Sequence, residues 1–442
     1  MNLFKYLFIA VFISSLSIFA QERKIEFIEY TLDNGLHVIL HQDNSTPIVS
    51  VSIIYHVGSK NEDPERTGFA HFFEHLMFEG SENIARGEFD KIMESAGGTN
   101  NATTSQDRTY YFEVLPSNQL ELGLWIESER LLHAKIDSIG VETQRKVVKE
   151  ERRQSYDNQP YGSVIEETFK RAYKVHPYKW LPIGSVQYID QATINEFIEF
   201  YNTFYVPENA TLIIAGDISI EQTKKLVDLY FKDIPKSGIE IPRPQIIEPP
   251  LRGEIRDTIY DNIQLPLVLQ AYRIPALGTE DHYALEMLTT LLSSGESSRF
   301  QKAVVDKKQK AVNVGAFPYS LEDSGLFIVY GISNIGIDVN ELEKTIQEEL
   351  DRVKLELIPE NEFQKLRNQI ENDFIISNST IAGIASSLAT YHVLYGNTNL
   401  INSEIEKYMS VTTADLIKAA NKYFSKDNRV VLHYLPKSSQ TK

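Results

Sequence analysis

Two stretches far apart in the chain share one layout, and this repeat limits the fold more than any other feature. FIEFYNTFYVPENATLIIAGD (197–217) resembles LIKAANKYFSKDNRVVLHYLP (416–436): a helix, an aromatic-rich turn with Asn, then a buried strand. PIVSVSIIYHVGS and the helix after it likewise resemble LPLVLQAYRIPA followed by DHYALEMLTTLLSSG. Self-similarity at so long a period means two copies of one domain. Between the copies, DIPKSGIEIPRPQIIEPPLR (233–252) is rich in proline and reads as an extended linker rather than packed structure. The expected fold class is α+β, with each domain a mainly antiparallel sheet covered by helices. The expected boundaries are an N-terminal domain at 21–235, a linker at 236–252 and a C-terminal domain at 253–442.

The first twenty residues, MNLFKYLFIAVFISSLSIFA, carry one early Lys5, an apolar run from Leu7 to Phe19, and Ala20 before a polar stretch. This is the pattern of a secretory signal peptide, too short for a comfortable transmembrane helix, so no stable membrane span is expected after cleavage. The chain has no cysteine, hence no lipid attachment site and no disulfide. Export without disulfides points to a periplasmic protein held by its core alone. A net charge of −17 argues against nucleic acid and against an acidic membrane surface as partners.

The chemistry is concentrated in His71-Phe72-Phe73-Glu74-His75, inside TGFAHFFEHLMFEGS. On a helix, imidazoles at i and i+4 project from one face, and Glu74 at i+3 points to the same side. Two neutral imidazoles suit zinc, which in a catalytic site takes three protein ligands and keeps one position for water. Glu74 is then placed to take a proton from that water. Phe72, Phe73, Leu76, Met77 and Phe78 mark the helix as largely buried, and buried polar groups need a compensating partner. A third ligand is sought among acidic residues on another helix, and RKVVKEERRQS offers Glu150 and Glu151. Adjacent helical residues point about 100° apart, so one of the two can face the metal. The stripe Val147, Val148 and Glu151 selects Glu151, although a stretch this charged is equally compatible with a solvated helix face.

Around this site, residues 25–60 read as strands, with Asp33-Asn34-Gly35 as a hairpin turn. His37, His41 and His56 within them read as surface or structural histidines. Helices are predicted at 86–96, 117–133, 141–155 and 193–204, with an irregular stretch at 156–190. Aligning Gly80 with Gly295 places Glu286, Thr289 and Thr290 where His71, Glu74 and His75 stand, so the second copy is expected to lack a metal site.

HFFEHLMFEGS, GGTNNATTSQDRTYYFEVLP, RKVVKEERRQSYDNQPYG and HPYKWLPIGS occur in the order in which similar motifs occur in the pitrilysin-type inverzincins, the HxxEH peptidases. The chain resembles their branch that holds the mitochondrial processing peptidase and its bacterial relatives, over essentially its whole mature length. The resemblance implies a half-clamshell of two domains that binds one Zn2+ through His71, His75 and Glu151, with Glu74 as general base. It also implies that the strand around Asn101 and Ala102 is an edge on which an extended peptide adds by backbone pairing. Short polar residues after a Gly-Gly break suit such an edge independently. Two positions depart from the family. A second glutamate seven residues before the ligand glutamate is here Gln144, an amide that can hydrogen-bond beside the metal but carries no charge. An Arg and a Tyr that hold the substrate carbonyl in self-sufficient members read here as Asp306 and Val312, and neither can serve an oxyanion. The expectation is therefore a zinc endopeptidase acting on unfolded peptides as a heterodimer, with a homologous subunit carrying the Arg/Tyr pair. Its rivals are a self-sufficient homodimer, with Tyr319 as a stand-in donor, and a non-catalytic assembly subunit.

Overall fold

The computed structural model describes residues 24–440, so the signal peptide expected at 1–20 lies outside the described residues. The first half builds β1 (Ile28–Thr31), β2 (His37–Gln42), β3 (Ile48–Tyr55), β4 (Thr99–Thr104), β5 (Thr109–Pro116) and β6 (Ala210–Gly216), in the spatial order β1-β2-β6-β3-β5-β4. The second builds β7 (Ile255–Asp261), β8 (Leu267–Pro275), β9 (Ala311–Tyr319), β10 (Ser324–Ser333) and β11 (Arg429–Pro436), in the order β7-β11-β8-β10-β9. In both sheets one pair is parallel, β2 with β6 and β7 with β11, and all other neighbours are antiparallel. Strand for strand, β2-β6-β3-β5-β4 and β7-β11-β8-β10-β9 are one topology. The repeated stretches seen in the sequence are the pairs β3/β8 and β6/β11 within it. Among the described residues no helix is long and apolar enough to cross a membrane.

The apolar run of β3 is buried on both faces, and this governs the packing of the whole first half. Val49, Val51, Ile53 and Tyr55 join the core beneath the helices of the first domain. Ile54, with Ile39, Ile213 and Ala215, is covered instead by Ile384, Ala385 and Leu388. Those three lie on the helix Ile381–Val393, which comes from the C-terminal half of the sequence and lies across the N-terminal sheet. Sequence similarity between the halves gives no sign of this crossing.

Three expectations change. The stretch 156–190 contains the helices Val164–Ala172 and Val186–Gln191. Their periodic residues are few and flanked by Pro, Gly and Tyr, which hides them from a window reading. The helix expected at 86–96 is confined to Phe89–Ser95. The segment 236–252 has no helix or strand, yet it is pinned to the fold rather than free. Arg243 donates to the His56 carbonyl and to Asn209, Leu251 is buried, and Glu248 accepts from the backbone N–H groups of Lys174, Val175 and His176. Its prolines forbid regular pairing without forbidding contact through side chains.

Candidate metal and peptide site

The helix Phe69–Leu76 carries the HxxEH residues, and its two faces differ in chemistry. Phe69, Phe72 and Phe73 stack on the helix Ile194–Phe204, with ring centroids 4.6 Å and 4.5 Å apart for Phe69–Phe197 and Phe72–Phe197, and 5.3 Å for Phe73–Phe200. Each such burial is worth roughly 1.5–3 kcal/mol, enough to set the rotation of a two-turn helix. His71, Glu74 and His75 are thereby turned to the opposite, half-buried face.

The helix begins at Gly68, whose φ of 101° lies in the left-handed region. Gly184 approaches so closely that a Cβ on it would stand 2.3 Å from the Gly68 Cα. The buried carboxylate of Glu62 accepts from the N–H groups of Gly68 and Ala70, both at 2.9 Å, and from Trp180 Nε1 at 3.1 Å. Burial pushes the Glu62 carboxyl up to about 8 against the pull of those donors. Glu62 closes the start of the metal helix from six residues upstream, beyond the reach of any local capping pattern, so sequence reasoning missed it. Replacing Glu62 by Ala leaves the buried N–H groups of Gly68 and Ala70 unmatched, while Trp180 Nε1 keeps the Ser59 carbonyl at 2.9 Å, and is expected to cost about 3 kcal/mol in urea unfolding. A loss under about 1 kcal/mol would mean that packing alone holds the helix start.

The ligand set converges. His75 Nε2 lies 3.2 Å from Glu151 Oε2, His71 Nε2 lies 3.7 Å from Glu151 Oε1, and one ligand atom from each residue falls within 4.8 Å of the others. A tetrahedral zinc with bonds near 2.1 Å separates its ligand atoms by about 3.4 Å. The two imidazole planes stand at 86°, so their in-plane lone pairs can meet at one point. Burial lowers His71 to about 4, and its Nδ1 is enclosed without a partner, which leaves the ring neutral as a ligand must be. The residues fit the ion. Glu74 Oε2 accepts from Thr104 Oγ1 at 2.6 Å, and burial raises its carboxyl above the usual range despite that bond and the nearby His75.

A second His/Glu group, Glu29, His37 and His392, also falls within 4.8 Å. Here the rings are stacked 3.8 Å apart and 5° from parallel. Lone pairs lying in parallel planes do not converge, so this group ties the β1–β2 hairpin to the helix Ile381–Val393 and fits an ion poorly.

The other site expectations fall as follows. On the helix Ser138–Arg152, Val148 is buried and Glu151 faces the histidines, while Glu150 points away to bond Arg153 and Gln154. Val147, counted in the inward stripe, is 43% exposed: the buried arc is narrower than an i, i+3, i+4 pattern assumes. Gln144 does not bond a ligand. Its amide donates to Glu79 at 2.5 Å, and Glu79 is paired with Arg86, so Gln144 braces the chain beyond the metal helix. Asn101 and Ala102 lie on β4, which ends the sheet and pairs only with β5 among the described residues. Asp306 bonds Gln301, Val312 is exposed on β9, and Tyr319 is drawn to Gln106 at 3.3 Å. Glu286, Thr289 and Thr290 sit on the helix Glu280–Ser293 with no third ligand beside them in any metal-capable group of the described residues.

Comparison with known proteins agrees with this division of labour between the halves. Residues 37–180 match the family model described as insulinase (peptidase family M16), and residues 191–370 match the peptidase M16 inactive domain. The zinc protease PqqE of Helicobacter pylori is 33% identical over 399 residues, covering 89% of both chains. This chain belongs to peptidase family M16. The crystal structure of a protease from Helicobacter pylori superposes with a TM-score of 0.90 at 31% identity, over 93% of this chain and 100% of that one. A probable mitochondrial-processing peptidase subunit beta of Arabidopsis thaliana is 24% identical over 412 residues, 90% of this chain and 76% of that protein. The M16 relatives named zinc proteases make this a chain of a zinc metallopeptidase family, and the inactive-domain match runs from the last elements of the first domain into the second, without the HxxEH residues.

Proposed function

We propose that this M16 chain is the metal-bearing subunit of a periplasmic zinc endopeptidase that cuts extended or unfolded peptides. The observation that carries the reading is the convergence of His71, His75 and Glu151 beside Glu74, on the helix next to the unpaired edge of β4. Zinc held by those three residues supplies Lewis acidity toward water and the scissile carbonyl. Glu74, half-buried and oriented by Thr104, takes the proton of the attacking water and delivers it to the leaving amine. A peptide adds to β4 as a further strand, its backbone displacing the Asn101 side chain that now accepts from the Ala102 N–H at 2.8 Å. Because Asp306 and Val312 offer no donor to an oxyanion, a homologous partner carrying an Arg/Tyr pair completes the site, a reading supported by the Arabidopsis relative's being named a subunit beta.

The test is peptide hydrolysis by the purified mature chain, alone and with such a homologue, with chelator and then with zinc restored. Turnover is expected with the partner, lost to chelator and regained with zinc. Equal, chelator-sensitive rates with and without the partner would overturn the half-enzyme reading and turn attention to Tyr319. His75→Ala is expected to reduce bound zinc from about one per chain to near none by elemental analysis, and retention of the metal would refute the ligand assignment.

A further inference from the structure

The second domain replaces the metal position by something else. Glu286, at the place of His71 in the repeat, lines a cleft of about 290 Å3, open to solvent, between the helices Glu280–Ser293, Ile381–Val393 and Leu400–Ser410. Glu404 lines the same cleft at 6% exposure, and its hydrogen-bond donors are tyrosine hydroxyls, Tyr391 among them. Glu286 Oε1 accepts from Ser320 Oγ at 2.9 Å. Among the described residues neither carboxylate has a lysine or arginine within ion-pair distance, and none lines the cleft. Lys407, whose charge acts on Glu404, lies over the Tyr283 ring at 5.4 Å, outside the lining. His282, 3% exposed, cannot serve as the missing cation: burial lowers it to about 4. Burial also pushes Glu286 up to about 7, with Glu404 adding to the rise against the Ser320 bond. Glu404 is buried and Glu286 is half-buried, with its side chain 26% exposed, and neither has a lysine or arginine in direct contact, so the cleft favours a cation that can enter.

The rest of the lining narrows the cation. Tyr391, Tyr395 and Tyr408 present rings and hydroxyls to the same space, with the Tyr391 and Tyr395 centroids 5.4 Å apart at 68°. Aromatic faces attract an organic cation and shelter its alkyl stem, while carboxylates and hydroxyls accept the N–H groups of a primary ammonium. A small inorganic ion would use the carboxylates and leave the rings idle. We propose that this cleft binds a primary ammonium group on an alkyl stem, between Glu286 and Glu404, independently of the zinc site.

Ligand-observed NMR on the mature chain tests this, with n-butylammonium as the probe and n-butanol as its neutral counterpart. n-Butylammonium is expected to bind at least tenfold more tightly than n-butanol. Glu286→Gln and Glu404→Gln keep volume and acceptors, and each is expected to weaken binding at least tenfold with the circular dichroism spectrum unchanged. Competition by Nα-acetyl-lysine amide but not by glycine amide would assign the ammonium to a lysine side chain. The reverse would assign it to a chain amino terminus, and cadaverine outcompeting both would assign it to free diamines; all three support the site. Equal binding of butanol, indifference to both substitutions, or displacement by millimolar calcium alone would overturn it. Zinc content and peptide hydrolysis do not enter these readouts, so failure here is separable from failure of the peptidase reading.

Discussion

Replacing Glu74 by Gln is expected to lower kcat for peptide hydrolysis by roughly 10²–10⁴ while zinc stays at one per chain. The amide has the shape of the carboxylate and still accepts from Thr104, which now donates to Glu74 at 2.6 Å, so geometry is preserved and only basicity is lost. His71, His75 and Glu151 are untouched, hence the metal remains. The environment of Glu74 supports the assignment: burial raises its carboxyl, toward the basicity that neutral-pH proton transfer uses best. Two measurements check it together, steady-state kinetics and elemental analysis on the same preparation. Undiminished turnover would remove Glu74 from the proton path; loss of zinc would make it a structural support of the ligands instead.

The second large effect is expected far from the ligands, at Lys60. Its ammonium is 7% exposed and reaches Asp107 Oδ1 at 3.0 Å, Glu322 Oε2 at 2.5 Å and Asp323 Oδ2 at 3.3 Å. Lys60 and Asp107 belong to the first domain, Glu322 and Asp323 to the turn between β9 and β10 of the second. His56 also bonds Glu322 and His176 bonds Asp323, so one cluster of charges joins the domains beside the β4–β5 turn. Burial alone would lower the Lys60 ammonium, but Asp107 and Glu322 outweigh it and push it up to about 12. Lys60→Met leaves Asp107, 2% exposed, without its cation, and is expected to cost about 3–5 kcal/mol in urea unfolding. A cost below about 1 kcal/mol would mean that desolvation cancels the attraction.

The same cluster predicts the pH dependence. Burial would raise Glu322 and Asp323, yet the cations around them hold both below the usual carboxylate range. A depressed carboxyl contributes stability above its unfolded pKa, near 4, and loses it as pH falls through the folded value. The wild-type chain is therefore expected to lose stability below about pH 4 more steeply than Lys60→Met, whose carboxyls have already lost that cation.

How much of this was legible in the residues depends on the range over which each signal acts. His71, Glu74 and His75 are legible because one helical turn places them together whatever the rest of the chain does. Glu151 is half legible: helical spacing separates it from Glu150, but the exposed Val147 shows that periodicity alone misjudges how wide the buried arc is. The strand order of the second sheet follows from the repeat, since two copies of one pattern reach the same pairing. Val164–Ala172 was hidden because flanking Pro and Gly outweigh a two-turn helix in any local reading.

From the sequence alone came the fold class, the doubling of the domain, the metal helix and the loss of ligands in the second copy. All of these rest on period, composition and spacing, which are properties of neighbouring residues. The tertiary structure alone placed Glu62 against the start of the metal helix, Lys60 between the domains, the helix Ile381–Val393 across the first sheet, and Glu286 and Glu404 in one cleft. Each of these joins residues distant along the chain through burial and charge, and no local pattern encodes which distant partner a buried group will meet.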